Sequence, residues 1–166
     1  MKKIILLFAV TLLVLDCQDG PKAMFSEEFA LMDTRTPLPF NNLVGVYELD
    51  SDSKIRYNIS KSENLTITIK KDTTFLANKY LDLSNHSIID SNLISKIYYI
   101  DGYWDNSNTY IGLFTDKFCS SGSLDIYYRK KDNVFALYAY TKSLEGQEHG
   151  DYLRYIKVKD GDVKKK

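Results

Sequence analysis

From Val44 onward the chain alternates apolar and polar side chains. Ile55, Tyr57 and Ile59 alternate with Lys54, Arg56 and Asn58, and Leu65, Ile67 and Ile69 alternate with Thr66, Thr68 and Lys70. A period of two puts one set on each face of a strand, the pattern of an antiparallel sheet with one buried face. The breaks carry turn chemistry: Asp50-Ser51-Asp52-Ser53, Ser62-Glu63-Asn64, Lys71-Asp72-Thr73, Asp105-Asn106-Ser107-Asn108 and Lys131-Asp132-Asn133. Between them fall strand candidates at 44–50, 54–60, 64–71, 74–80, 93–100, 109–115, 124–130, 134–141 and 152–159. No stretch of the domain has a helical period, and 81–92 reads as a long loop. Short strands in this number, tightly joined, predict an all-β fold: a single antiparallel up-and-down barrel or a closely related sandwich of eight or nine strands.

The N-terminus follows a different pattern. Lys2 and Lys3 precede an apolar run from Ile4 to Leu15, broken only by the Thr11 hydroxyl, and then come Asp16 and Cys17. A short basic region before such a core is a secretory signal. The run is too short to span a bilayer, which takes about 20 residues. Val14-Leu15-Asp16-Cys17 resembles the lipobox of a bacterial lipoprotein, with Asp16 standing where that family has a small residue. The resemblance implies cleavage before Cys17, acylation of that cysteine and a place in the cell envelope. Gln18, where Asp would favour inner-membrane retention, points to the outer membrane. The alternative is an ordinary secretory signal cut later, with Cys17 removed or left as a thiol; Pro21-Lys22-Ala23 is a poor site for that cut. The expected organisation is a signal at 1–16, a lipid-anchored tether at 17–43, the β domain at 44–160 and a charged tail at 161–166. Pro21, Pro37 and Pro39 interrupt the tether, and Ser26 to Met32 fits a helical turn or two, with Ser26 capping and Glu27 and Glu28 near the positive end.

Gly45-Val46-Tyr47 opens the first strand of the domain, and Arg154 lies on the last, in phase with Tyr152, Ile156 and Val158. These residues resemble the lipocalin-like families, in which a Gly-x-aromatic begins strand one and an Arg on the last strand packs across that ring. Tyr47 stands where the family has Trp. The resemblance implies a barrel-closing pair of Tyr47 and Arg154, and a one-ended cup for a small apolar or amphiphilic ligand. The other reading of Arg154 is an edge-strand arginine running its stem along apolar surface.

The chain carries 13 tyrosines, mostly on expected strands. Tyr98-Tyr99, Tyr103-Trp104 and Tyr127-Tyr128 place one ring on each face; Tyr138 and Tyr140 share a face opposite Phe135 and Leu137. Tyrosine here is a good strand former, the lining of a ligand cavity, or a protein-binding surface. Charge narrows the choice. Removing residues 1–16 leaves a nearly neutral chain, with no net field to recruit nucleic acid. Once Cys17 is acylated, Cys119 has no disulfide partner and reads as a quiet structural thiol. Glu145, Glu148, His149 and Asp151 share one presumed loop, but their spacing matches no zinc or calcium pattern. His86 lies in another loop, and no catalytic motif occurs. The sequons at Asn58, Asn64 and Asn85 carry no consequence in a bacterium. The sequence therefore predicts a monomeric, non-enzymatic envelope lipoprotein without cofactor or metal, binding a small apolar ligand or an envelope component. A periplasmic immunity or inhibitor protein, using tyrosine-rich strands or the 81–92 and 143–151 loops, is the alternative. An enzyme using carboxylates in a barrel mouth is a third.

Overall fold

The structure, a computed structural model, describes residues 28–32, 35–103, 109–141 and 152–160. The signal, Cys17, Ser26, Glu27, Trp104, the Glu145–Asp151 cluster and the 161–166 tail lie outside the described residues. In chain order the strands are β1 (Phe29–Leu31), β2 (Gly45–Leu49), β3 (Thr66–Ile69), β4 (Thr74–Ala77), β5 (Tyr80–Leu81), β6 (Ile88–Ile89), β7 (Leu93–Ile100), β8 (Tyr110–Leu113), β9 (Ser123–Arg129), β10 (Val134–Tyr140) and β11 (Tyr152–Asp160). Among the described residues a 3-10 turn spans Phe40–Asn42 before β2, and one α-helix, α1 (Ser51–Arg56), follows it.

The sheet closes on itself. Its order is β9-β10-β11-β2-β3-β4-β7-β8, and β8 pairs back onto β9, which makes an antiparallel barrel of eight strands. The expected all-β barrel is therefore present, and the period of two explains it. Tyr47, Leu49, Ile67, Ile69, Phe75, Ala77, Ile111, Leu124, Ile126, Leu137, Ala139, Leu153 and Tyr155 turn inward and join one buried cluster. The ends are stoppered too. At one end Leu38 and Leu43 are buried on the segment before β2. The Tyr99 hydroxyl donates to the Leu38 carbonyl, and the Leu38 amide donates to Asp101 Oδ2 at 3.2 Å. At the other end Phe118 enters from the β8–β9 loop, with ring centroids 4.9 Å from Phe75 and 5.7 Å from Tyr155.

Three sequence expectations are corrected. The strand at 54–60 is absent: Asp50 caps α1 instead, its Oδ1 accepting the Ser53 amide at 2.8 Å. Asp52 in the first turn and Lys54 and Arg56 in the last suit the helix dipole. Ile55 is 68% exposed, so its place in the alternation reflects no buried face. The loop at 81–92 contains the hairpin β5–β6, with Tyr80 opposite Ile89. The helical turn expected over Ser26–Met32 gives way, among its described residues, to β1, because a short isolated helix is marginal and β9 offers a free edge.

β1 is lightly held. Only Phe29 of its three residues is buried. Burying a Phe side chain contributes about 1.5–3 kcal/mol and each backbone hydrogen bond about 1 kcal/mol, against about 1–2 kcal/mol per residue for ordering the chain. The gains and costs nearly cancel.

Candidate functional site

With the interior filled, the surface chemistry lies on two outer walls. On β9, β10 and β11 the outward positions carry Tyr127, Ala136, Tyr138 and Tyr152, which with Phe29 form a second buried cluster. Small Ala136 lets the rings close up. The Tyr127 and Tyr138 centroids lie 4.0 Å apart, Tyr138 and Tyr152 4.8 Å, and Phe29 meets Tyr138 edge-on at 6.3 Å.

Arginines fasten this wall. The Arg154 guanidinium sits 4.4 Å from the Phe29 centroid, and Arg56 of α1 sits 4.8 Å from that of Tyr152. Arg154 Nε donates to Asp50 Oδ2, and another of its nitrogens donates to Asp52 Oδ2 at 2.7 Å. The Arg154 amide donates to Ser53 Oγ at 2.9 Å, while the Asp50 amide donates to the Arg154 carbonyl at 3.0 Å. Both Arg154 and Asp50 are nearly enclosed, with 5% and 6% of their side chains exposed. Burial works against the Arg154 charge, but hydrogen bonding to Tyr138 and the Asp50 carboxylate more than offset it and hold the guanidinium protonated. Asp50 thus caps α1 and joins it to β11.

The structure places Tyr47 and Arg154 on opposite faces of the sheet. Tyr47 points into the barrel, where its hydroxyl donates to the Leu43 carbonyl at 2.7 Å. Its partner in register on β11 is Lys157, two residues beyond Tyr155, which also faces inward. Arg154 points outward with Tyr152 and Ile156, so the closing pair implied by the lipocalin resemblance is not brought together.

The second wall is the outer face of β7 and β8. Ile94, Tyr98 and Phe114 are 67%, 42% and 69% exposed. Tyr98 stands opposite Gly112 and lies over it: a Cβ there would meet the ring at 2.0 Å. The missing side chain is what lets the ring lie flat. Tyr110 and Phe114 flank Tyr98 edge-on at 6.4 and 5.3 Å. Lys96, also on this wall, turns its Nζ to the Asp72 carbonyl at 2.9 Å and Thr74 Oγ1 at 3.2 Å, away from the rings.

Other candidates are placed elsewhere. Cys119 is buried at the barrel end, its thiol donating to the Ser123 carbonyl at 3.4 Å, and burial pushes its pKa up, away from a reactive thiolate. The His86 ring packs 5.7 Å from that of Tyr57. Among the described residues no group of three or more His, Cys, Asp or Glu side chains is placed to hold a metal, and no helix is long and apolar enough to cross a membrane. An open cleft of about 470 Å³ lies between the β5–β6 hairpin and the β8–β9 loop, lined by Tyr80, Asp82, Ile89, Asp116, Lys117 and Ser120 among others.

No protein family, curated protein or solved structure matches this chain.

The sequence signals for this arrangement are partial. Tyr138 and Tyr140 share a face, as their spacing indicates, but the step that joins Arg154 to Asp50 crosses from β11 to the end of β2 and has no local signature.

Proposed function

We propose that this protein is a non-enzymatic binding protein of the bacterial envelope, lipid-anchored at Cys17, that engages a protein partner through the outer wall of β7 and β8. One observation carries the reading: the barrel interior is filled by its own side chains, while Tyr98 and Phe114, with ring centroids 5.3 Å apart, stand in solvent on the same outer face as exposed Ile94. An eight-stranded barrel is just wide enough to be filled by side chains or to hold one small ligand, and this one takes the first course. Exposed aromatic side chains clustered on one face mark an interaction surface, and tyrosine supplies rigid contact area with a polar tip. An immunity or inhibitor protein would use such a surface. An amphiphilic small molecule is the second reading, and the cleft lined by Tyr80 and Ile89 favours it.

The test is native mass spectrometry of protein extracted from its own envelope, comparing wild type with a Tyr98→Ala/Phe114→Ala variant. The expected result is a stoichiometric protein partner on wild type that the variant loses. A bound small lipid retained equally by both would favour the cleft and contradict the wall. For the anchor, Cys17→Ser abolishes fatty-acid labelling; a variant that still labels contradicts acylation at this cysteine.

A further inference from the structure

β9 has one fully paired side and one divided side. β10 pairs continuously with Leu124–Arg129, while β8 takes Ser123–Asp125 and β1 takes Tyr127–Arg129 on the other edge. Both are antiparallel to β9, so β1 occupies the lane that β8 leaves open. The Lys130 amide donates to the Glu28 carbonyl at 2.9 Å, and the Met32 amide donates to the Ile126 carbonyl at 3.0 Å. Antiparallel alternation then pairs Ala30 with Tyr128 and turns the Tyr127 and Arg129 amides to β10. Within β1 itself Ala30 is half-buried and Leu31 is exposed, and the next apolar anchor is Met32, just past the strand, which packs half-buried against the core. What β1 does contribute is specific. The Phe29 ring sits under Arg154 and against Tyr138, and the Glu28 carboxylate meets Lys131 Nζ at 3.0 Å and Arg129 at 4.0 Å.

We infer that β1 is a detachable strand, and that the β9 lane it fills is a strand-addition site for an extended segment of a protein partner carrying an acidic, an aromatic and a small residue in succession. β1 itself is the template. The acid meets the Arg129 and Lys131 charges, the ring enters the slot between Tyr138 and Arg154, and main-chain hydrogen bonds complete the sheet, as in other strand additions. This site is separate from the β7–β8 wall and stands or falls independently of it.

Amide hydrogen exchange on the mature chain tests the first half. The Tyr128 and Lys130 amides exchange at least about 10-fold faster than those of Tyr127 and Arg129, because local opening frees only the former pair. Phe29→Ala accelerates the first pair further and leaves the second unchanged. Equal protection of all four in wild type would overturn the detachable strand. A synthetic peptide with the sequence of residues 26–33 tests the second half on the Phe29→Ala protein. At millimolar concentration, about the effective concentration of a tethered segment, it restores protection at Tyr128 and Lys130, and the same peptide with Phe29→Ala does not. Failure of the unmodified peptide to protect would overturn the strand-addition site. Protection that rises with protein concentration alone would assign the lane to β1 of a second copy and overturn the partner segment.

Discussion

On the β9–β11 wall Tyr138 and Tyr152 are enclosed, stacked and fastened by Arg154 and Arg56. On the β7–β8 wall Tyr98 and Phe114 stand in solvent, and among the described residues no cation lies over either ring. Both walls are aromatic outer faces of the same barrel and adjoin where β8 pairs with β9. What differs is the neighbourhood. The first wall has α1 beside it, delivering Asp50, Asp52 and Arg56, and β1 delivering Phe29. The second has a glycine that lets its tyrosine lie flat and a lysine that turns away. Tyrosine content alone therefore does not mark a binding surface; the test is whether the fold spends the ring on its own packing.

Substitutions break this comparison at different depths. Arg154→Ala has the largest expected effect, about 3–5 kcal/mol in urea unfolding, because it leaves the Asp50 carboxylate buried without its partner. A loss below about 1 kcal/mol would mean that the network is ornamental. Tyr138→Ala comes next, at about 3–4 kcal/mol for an enclosed ring, whereas Tyr98→Ala costs under about 1 kcal/mol by the same measurement. Equal costs would erase the distinction between the walls.

Asp125 gives the smallest and most pH-dependent effect. It lies between the walls, opposite Tyr110 on one side and Tyr138 on the other. Burial pushes its carboxyl up from the ordinary carboxylate range, with hydrogen bonding from Tyr140 working against that shift. The folded protein then holds this proton to higher pH than the unfolded chain does, so the group's contribution falls as pH rises from the ordinary carboxylate value through the raised one. Asp125→Asn keeps an acceptor for Tyr140 and removes the charge. Its Tm therefore exceeds that of wild type at pH 7, and the difference shrinks toward pH 3, which a thermal melt series reads directly.

Much of the barrel was legible in the alternation of residues. The strand expected at 93–100 coincides with β7, and those at 124–130, 134–141 and 152–159 fall within a residue of β9, β10 and β11 at each end. Ile97, Leu124, Ile126, Leu137, Ala139, Leu153 and Tyr155, all on the inward face of these strands, are buried, so along most of their length period and burial agree. Where they part, reading by period fails. Ile55, Tyr57 and Ile59 alternate as a strand would, yet Asp50 caps a helix that carries Ile55 outward before Tyr57 and Ile59 turn in. The three residues of β1 carry almost no periodic signal, and only the open lane on β9 makes them a strand. Arg154 shares its face of β11 with Tyr152, as the alternation indicates, but phase does not say which face is the inside of a barrel. That was decided by closure of the sheet, a property of all eight strands together.

The most direct test of the central claim is methyl NMR of the mature domain titrated with a medium-chain fatty acid as an apolar probe. A barrel packed with its own side chains predicts no saturable shifts at Ile67, Leu137 and Leu153, whose methyls face the interior, with any perturbation confined to outer positions such as Ile94. Saturable one-to-one shifts of those inward methyls would show that the barrel opens to hold a ligand, and would contradict a function carried on its outer wall.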